Sequence, residues 1–246
     1  SKPIQVKKGE KYYLVLDNVY PDGKGHTIKF SYVRDVEMRG VVTDDNNKPI
    51  KAEVYVEDMN GLQVQKTESD SITGEFKLAA KLNESTAYTL TTYSDSSFIS
   101  SKMINVDDLA KTNYKLNDIK VILPILKGGK KYVLGAINFY GNLSKLLPQS
   151  IPSVIALTKL MKRNKKMVIS IEGHVNSPGN PNVEFNNDLS VRRAKAIYGY
   201  LVSKGIEKER MSTIGFGSLH MLYPNAISEE HQEANRRVEI NVISVK

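Results

Sequence analysis

Ile171-Glu172-Gly173-His174-Val175-Asn176, then Asn186-x-x-Leu189-Ser190-x-x-Arg193-Ala194, then Gly215-x-Gly217, then Asn235-Arg236-Arg237-Val238-Glu239-Ile240, is the stretch that decides how the C-terminal half folds. Residues 167–171, Met-Val-Ile-Ser-Ile, are β-formers and predict a strand ending near Gly173. Residues 186–204 predict a helix, because Ala194, Ile197, Tyr198 and Leu201 recur three to four apart and make one apolar face for a sheet. Gly205 is its stop. Asn186, Ser190 and Arg193, spaced i, i+4 and i+7, share a second, polar stripe. Arg193 lies one step off the apolar face, so its guanidinium can reach a groove beside the preceding loop. Residues 211–214 read as a strand. Val238, Ile240 and Val242 alternate with Glu239 and Asn241, as a half-buried last strand should.

Working upstream, residues 134–139 read as a strand that ends in Asn138-Phe139-Tyr140-Gly141-Asn142. Ser150 is the expected N-cap of a helix with Pro152 in its first turn and Val154, Leu157 and Met161 on its buried face. Residues 127–246 thus predict an α+β unit of order βαβαββ, helices packed on a mixed sheet, with Lys127-Gly128-Gly129-Lys130 as a hinge or turn. Residues 35–120 predict an all-β sandwich. Strands at 39–43, 52–57, 63–67, 75–78 and 87–93 are separated by turn clusters, with Asn60-Gly61 as a hairpin signal. Between the two units, residues 107–111 suggest one helical turn, and residues 120–126 an edge strand limited by Pro124. Residues 1–34 carry two strand-like runs, 11–16 and 26–32. They are expected to be the tail of a domain truncated upstream, or strands added to the next module.

Composition narrows the classes. Hydrophobic residues make up 40% and charged residues 25%, as in globular proteins, and no apolar run approaches the ~18 residues of a membrane span. Membrane attachment, if any, is expected only through parts outside this chain, which opens without a signal peptide. Cysteine is absent, which excludes disulfides and thiolate chemistry. The net charge of +8 suits an acidic partner. Nucleic acid is not expected, because the basic residues are spread along the chain without an aromatic-plus-basic face. The histidines lack metal-ligand spacing, so neither metal nor cofactor is expected. Ser190 with His174 and Asp188 lacks a nucleophile elbow, and the chain is not read as an enzyme.

The blocks quoted above, in register over about 110 residues, resemble the OmpA-like domain, whose usual text runs G-H-T-D…N-x-x-L-S-x-x-R-A…G-x-G…N-R-R-V-E. The resemblance implies a non-enzymatic periplasmic module that holds peptidoglycan through its stem peptide. Arg193 matches the family arginine that holds the carboxylate of the diaminopimelate-type residue, and a guanidinium forks onto a carboxylate with two parallel hydrogen bonds. Asn176 stands where the family has the Asp that holds the ammonium, and Val175 where it has Thr. A neutral amide offers no charge there. A neighbouring acid, Glu172, Glu184 or Asp188, is one substitute. Phe139, Asn142, Asn186 and Arg237 complete the expected groove. Asn142 reads equally as a turn residue, and Arg237 equally as a partner of nearby acids.

Gly40-x-Val42-x-Asp44, Lys48-Pro49-Ile50, Asp70, Gly74-x-Phe76 and Tyr88 resemble the carboxypeptidase-regulatory-like β-sandwich, a spacer without chemistry of its own. Together the resemblances imply a piece of a cell-envelope protein, periplasmic and associated with the outer membrane or cell wall. Its OmpA-like end tethers a larger assembly to peptidoglycan. The alternative is a protein-interaction module of an envelope or secretion complex whose peptidoglycan site is lost or altered.

Overall fold

A computed structural model describes residues 6, 9–13, 31–133, 137–140, 142–179 and 184–245. The expected strands at 11–16 and 26–32 lie largely outside the described residues. Residues 11–13 are irregular, and residues 31–32 lead directly into the first strand.

Two sheets form the N-terminal half. β1 (Val33–Thr43), β2 (Glu53–Asp58), β3 (Gln63–Glu68), β4 (Glu75–Asn83), β5 (Ala87–Tyr93), β6 (Ser100–Asn105) and β7 (Lys115–Ile122) follow in chain order. The first sheet runs β4-β1-β7, with β1 antiparallel to β4 and parallel to β7. The second runs β3-β2-β5-β6, antiparallel throughout. Period-two alternation decides which faces meet. On β4, Phe76, Leu78, Ala80 and Leu82 are buried while the residues between them are exposed, and they share one core with Val36, Met38, Val54, Val56 and Leu90. The Asn60-Gly61 turn joins β2 to β3 as expected, with Gly61 at φ +76°.

Several elements differ from the sequence reading here: β1 begins six residues earlier than expected and β4 ends five residues later. β6 carries too few β-formers to stand out, yet it pairs along β5. β7 begins earlier than expected and ends at Ile122, before Pro124, which would break its ladder. It does lie at a sheet edge. The expected single turn at 107–111 is a 3₁₀ helix, Val106–Thr112.

The C-terminal half contains β8 (Lys130–Val133), α1 (Ile151–Arg163), β9 (Val168–Gly173), α2 (Glu184–Ser203), β10 (Met211–Gly215), α3 (Glu229–Asn235) and β11 (Val238–Ser244). The sheet order is β10-β9-β11-β8. β10 is parallel to β9 and the other pairs are antiparallel, so the sheet is mixed. The protein is α+β. The expected order βαβαββ gains a third short helix, α3. Ser228 caps α3 by accepting a hydrogen bond from His231 N–H. The first strand lies at Lys130–Val133, between the expected hinge at 127–130 and the expected strand at 134–139; of the latter, residues 134–136 are outside the described set and residues 137–139 lie in no named strand. Ser150 does not cap α1. Its hydroxyl accepts from Asn138 N–H at 2.7 Å and donates to Asn138 C=O at 3.0 Å, so it pins the preceding loop instead.

The halves meet over α1. Lys159 pairs with the buried Glu57 of β2 and donates to Gly61 C=O at 2.9 Å. Arg163 pairs with Glu53 and lies 4.7 Å over the Tyr93 ring. Phe98 stacks on Tyr132 at 4.3 Å, and Tyr93, Phe98 and Ile99 join the core beneath α1. Removing one member of a buried ion pair leaves the other charge desolvated. Lys159→Ala is therefore expected to lower stability by roughly 2–3 kcal/mol. The Lys159→Met, Glu57→Gln double variant should recover most of it, both read by thermal denaturation.

Candidate functional site

The three motif blocks converge on one hydroxyl. Gly173 and Gly215 are partners across the β9–β10 pairing, and together they leave a notch in the sheet. Ser190 of α2 fills it. A Cβ on Gly173 would stand 2.2 Å from Ser190 C=O, and one on Gly215 2.4 Å from Ser190 Oγ. Ser190 Oγ donates to Asn187 C=O at 2.7 Å and accepts from Gly217 N–H at 3.0 Å. The loop after β9 is fixed in turn by Val175 N–H on Gly217 C=O and His174 N–H on Arg237 C=O. Ser190 was expected on the polar stripe that carries Arg193. The structure makes it the bolt between helix and sheet, fully buried.

That close contact sets where Arg193 points. The side chain is only 4% exposed. Its Nε donates to Leu143 C=O at 3.2 Å, and its guanidinium carbon lies 5.0 Å over the Phe139 ring. No carboxylate pairs with it among the described residues. Burial, then the like charges of Arg236 and Arg192, push its pKa down to about 10. A desolvated guanidinium without an acid is costly, and an arriving carboxylate would remove that cost. Asn142, exposed at φ +55°, turns the loop that brings Leu143 C=O to Arg193, so its role here is in the backbone. Asn186 is buried on the stripe of α2 that carries Arg193, and its Nδ2 has no hydrogen-bond partner among the described residues.

Asn176 is engaged by a residue the sequence reading passed over. Asn235 is fully buried at the end of α3. Its Oδ1 accepts from Tyr223 N–H at 2.9 Å, while its Nδ2 donates to Tyr223 C=O and to Asn176 Oδ1, both at 2.8 Å. The first Asn of the N-R-R-V-E block was the available signal. Its role required knowing that α3 delivers it to the loop after β9.

Arg237, expected either in the groove or on nearby acids, has partners of its own. It donates to Glu239 at 2.7 Å and to His220 C=O at 3.1 Å. Arg236 is the neighbour whose charge Arg193 feels. Strand alternation explains the difference: Val238, Ile240 and Val242 join the core shared with α1 and α2, so Arg237 and Glu239 occupy the opposite face. Two suggested substitute acids are also engaged. Glu172 is buried beside Lys131, 2.7 Å away, and accepts from Asn241 Nδ2 at 3.0 Å, while Asp188 pairs with Arg192. Glu184 is exposed in the first turn of α2.

Glu172, His174 and Glu239 are the described residues whose ligand atoms lie close enough together to hold a metal ion. Lys131 and Arg237 already balance the two carboxylates, and a divalent cation would have to displace one of them. His174 is sealed against Phe216, with Nε2 3.6 Å from Glu239. Burial first, then Arg237, pushes its pKa down to about 4, against the opposing pull of Glu239 and Glu172. Arg237 likewise holds Glu239 below its usual range. Both shifts act in one direction. Unfolded His174 takes up a proton near pH 6.5 and the folded form only near pH 4. The unfolded state therefore binds more protons across that window, and stability falls as the pH is lowered through it. Glu239 adds to the loss at the acid end. A decrease of roughly 1–2 kcal/mol between pH 7 and pH 4.5 is expected. His174→Gln should flatten that part of a melting-temperature profile.

Residues 138–236 match the OmpA family. Over 108 residues the chain is 31% identical to the peptidoglycan-binding protein ArfA of Mycobacterium tuberculosis, covering 44% of this chain and 32% of that protein. Over 119 residues it is 34% identical to outer membrane protein A of Buchnera aphidicola, covering 44% and 33%. Among solved structures, the peptidoglycan-associated lipoprotein of Burkholderia pseudomallei aligns at 19% identity, covering 43% of this chain and 87% of that one, with a TM-score of 0.39. The chain spans about a third of the length of these curated relatives. These matches indicate no enzyme family.

Proposed function

We propose that the OmpA-like stretch, residues 138–236, binds peptidoglycan non-covalently and so tethers the protein that carries it, and any assembly built on that protein, to the cell wall. One observation carries this reading. Arg193 is buried, caps the Phe139 ring and has no carboxylate partner among the described residues, so the groove is built for an anion the protein does not itself supply. A stem-peptide carboxylate, held by two parallel guanidinium hydrogen bonds, fits that chemistry. Phe139 and Arg193 are the centre of the site. Asn176 and Asn186 offer amides at its edges, and Asn142 shapes its loop.

The relatives named for peptidoglycan binding and for the outer membrane support a periplasmic location at the outer membrane or wall. Residues 35–120 then serve as a spacer of the carboxypeptidase-regulatory-like kind, docked on α1 rather than joined to it by a slack linker. Partners in an envelope or secretion complex would bind outside the groove.

The test is sedimentation of the full 246-residue chain with purified sacculi, with and without excess free stem peptide. Sedimentation that the free peptide abolishes is expected. A chain that stays in the supernatant at low salt would overturn the reading in favour of a protein-interaction module.

A further inference from the structure

Resting on that reading, we infer that the groove recognises a carboxylate alone: an ammonium next to that carboxylate adds nothing to binding, because position 176 offers it no charge and the amide oxygen there already accepts from a buried donor. The hydrogen-bond network fixes this polarity. Tyr223 N–H donates to Asn235 Oδ1, which settles how the Asn235 amide is turned. Its Nδ2 must then find acceptors, and they are Tyr223 C=O and Asn176 Oδ1. Rotating the Asn176 amide would set two NH₂ groups against each other, next to a side chain that is fully buried. Asn176 Oδ1 thereby accepts one bond already, and the neutral lone pair that remains offers an ammonium no charge. Asn176 Nδ2, which bonds to no described residue, is the donor left for a ligand.

The surroundings agree. Leu143 C=O is taken by Arg193, and the buried Nδ2 of Asn186 is another unused donor on the same stripe. Asp188 and Glu229 are engaged by Arg192 and Arg236. Glu184 precedes Arg193 by nine residues on α2, about 13 Å along the axis, whereas the two charges of one amino-acid centre lie about 3 Å apart. Residues 134–136, 141 and 180–183, outside the described residues, contain no acid in their sequence. A zwitterionic centre bound here would gain from its carboxylate and face positive charge with its ammonium. The ligand class that fits best is a carboxylate whose neighbouring nitrogen is acylated or absent.

Three synthetic stem peptides test this by calorimetry on the full chain: one with the free side-chain amino-carboxylate of diaminopimelate, one with that amine acetylated, and one with that carboxylate amidated. Acetylation is expected to leave affinity within about threefold or to improve it, while amidation lowers it more than about tenfold. Asn176→Asp keeps one oxygen for Asn235 and turns a charged one to the ligand, so it should create a preference for the free amine of about tenfold. A wild-type chain that loses the acetylated peptide but holds the free one would overturn the inference and leave peptidoglycan binding standing. Asn176→Asp that treats the two alike would overturn it as well, because position 176 would then not face the ligand. Failure of all three peptides together with failure to sediment with sacculi would overturn the underlying reading and this inference with it.

Discussion

Arg193→Met is expected to abolish sedimentation with sacculi while leaving the protein as stable as before, or more so. The two halves of that result have one cause. Arg193 is 4% exposed, has Leu143 C=O as its hydrogen-bond acceptor and is repelled by Arg192 and Arg236. Folding therefore gains little from its charge. Methionine keeps a long apolar stem against Phe139 without the desolvated cation. In the complex the same guanidinium would be the paired partner of a carboxylate, and truncating such a partner costs about 2–5 kcal/mol, or more than about 30-fold in affinity. Arg193→Lys should fall between, because an ammonium keeps the charge and loses the fork. A melting temperature that drops by many degrees in Arg193→Met, with binding lost only in proportion to unfolding, would assign Arg193 a structural role instead.

Gly173→Ala is expected to be the most damaging single methyl group in the C-terminal half. The added Cβ would meet the backbone of α2, 2.2 Å from Ser190 C=O and 3.0 Å from its carbonyl carbon. No side-chain rotamer relieves that contact, so α2 has to move off the sheet. Overpacking of this kind costs about 3 kcal/mol or more. The displacement also reaches function. Ser190 and Arg193 sit one turn apart on α2, so lifting the bolt shifts the guanidinium against Phe139 and Leu143. Denaturant unfolding should show the loss of stability, and sacculus binding of the fraction still folded should fall as well. Ser190→Ala, which removes the bonds to Asn187 and Gly217 without adding bulk, should be milder in both measurements. Equal stability of Gly173→Ala and the unmodified chain would show that helix and sheet are less tightly apposed at this point.

The sequence alone was enough for the α+β class, for the alternation that faces Val238, Ile240 and Val242 inward, for the apolar stripe Ala194, Ile197 and Leu201, and for proposing Arg193 as the anion-binding residue. Such features are local: periods of two and 3.6 residues, and stop signals at Gly61 and Gly205, are set by neighbours along the chain. Tertiary structure decided what is shared between distant segments. Ser150 is a plausible cap by sequence, but Asn138 reaches its hydroxyl first. Arg236 and Arg237 are adjacent in sequence, and only the folded chain pairs one with Glu229 and the other with Glu239. Asn176 marks a departure from a familiar motif on the page of letters. That its oxygen is already held, and so what the position offers a ligand, depends on Asn235 arriving from 59 residues away at 2.8 Å. Hydrogen-bond direction between side chains that far apart is written in the packing of α3 against the loop after β9, and no short-range pattern carries it.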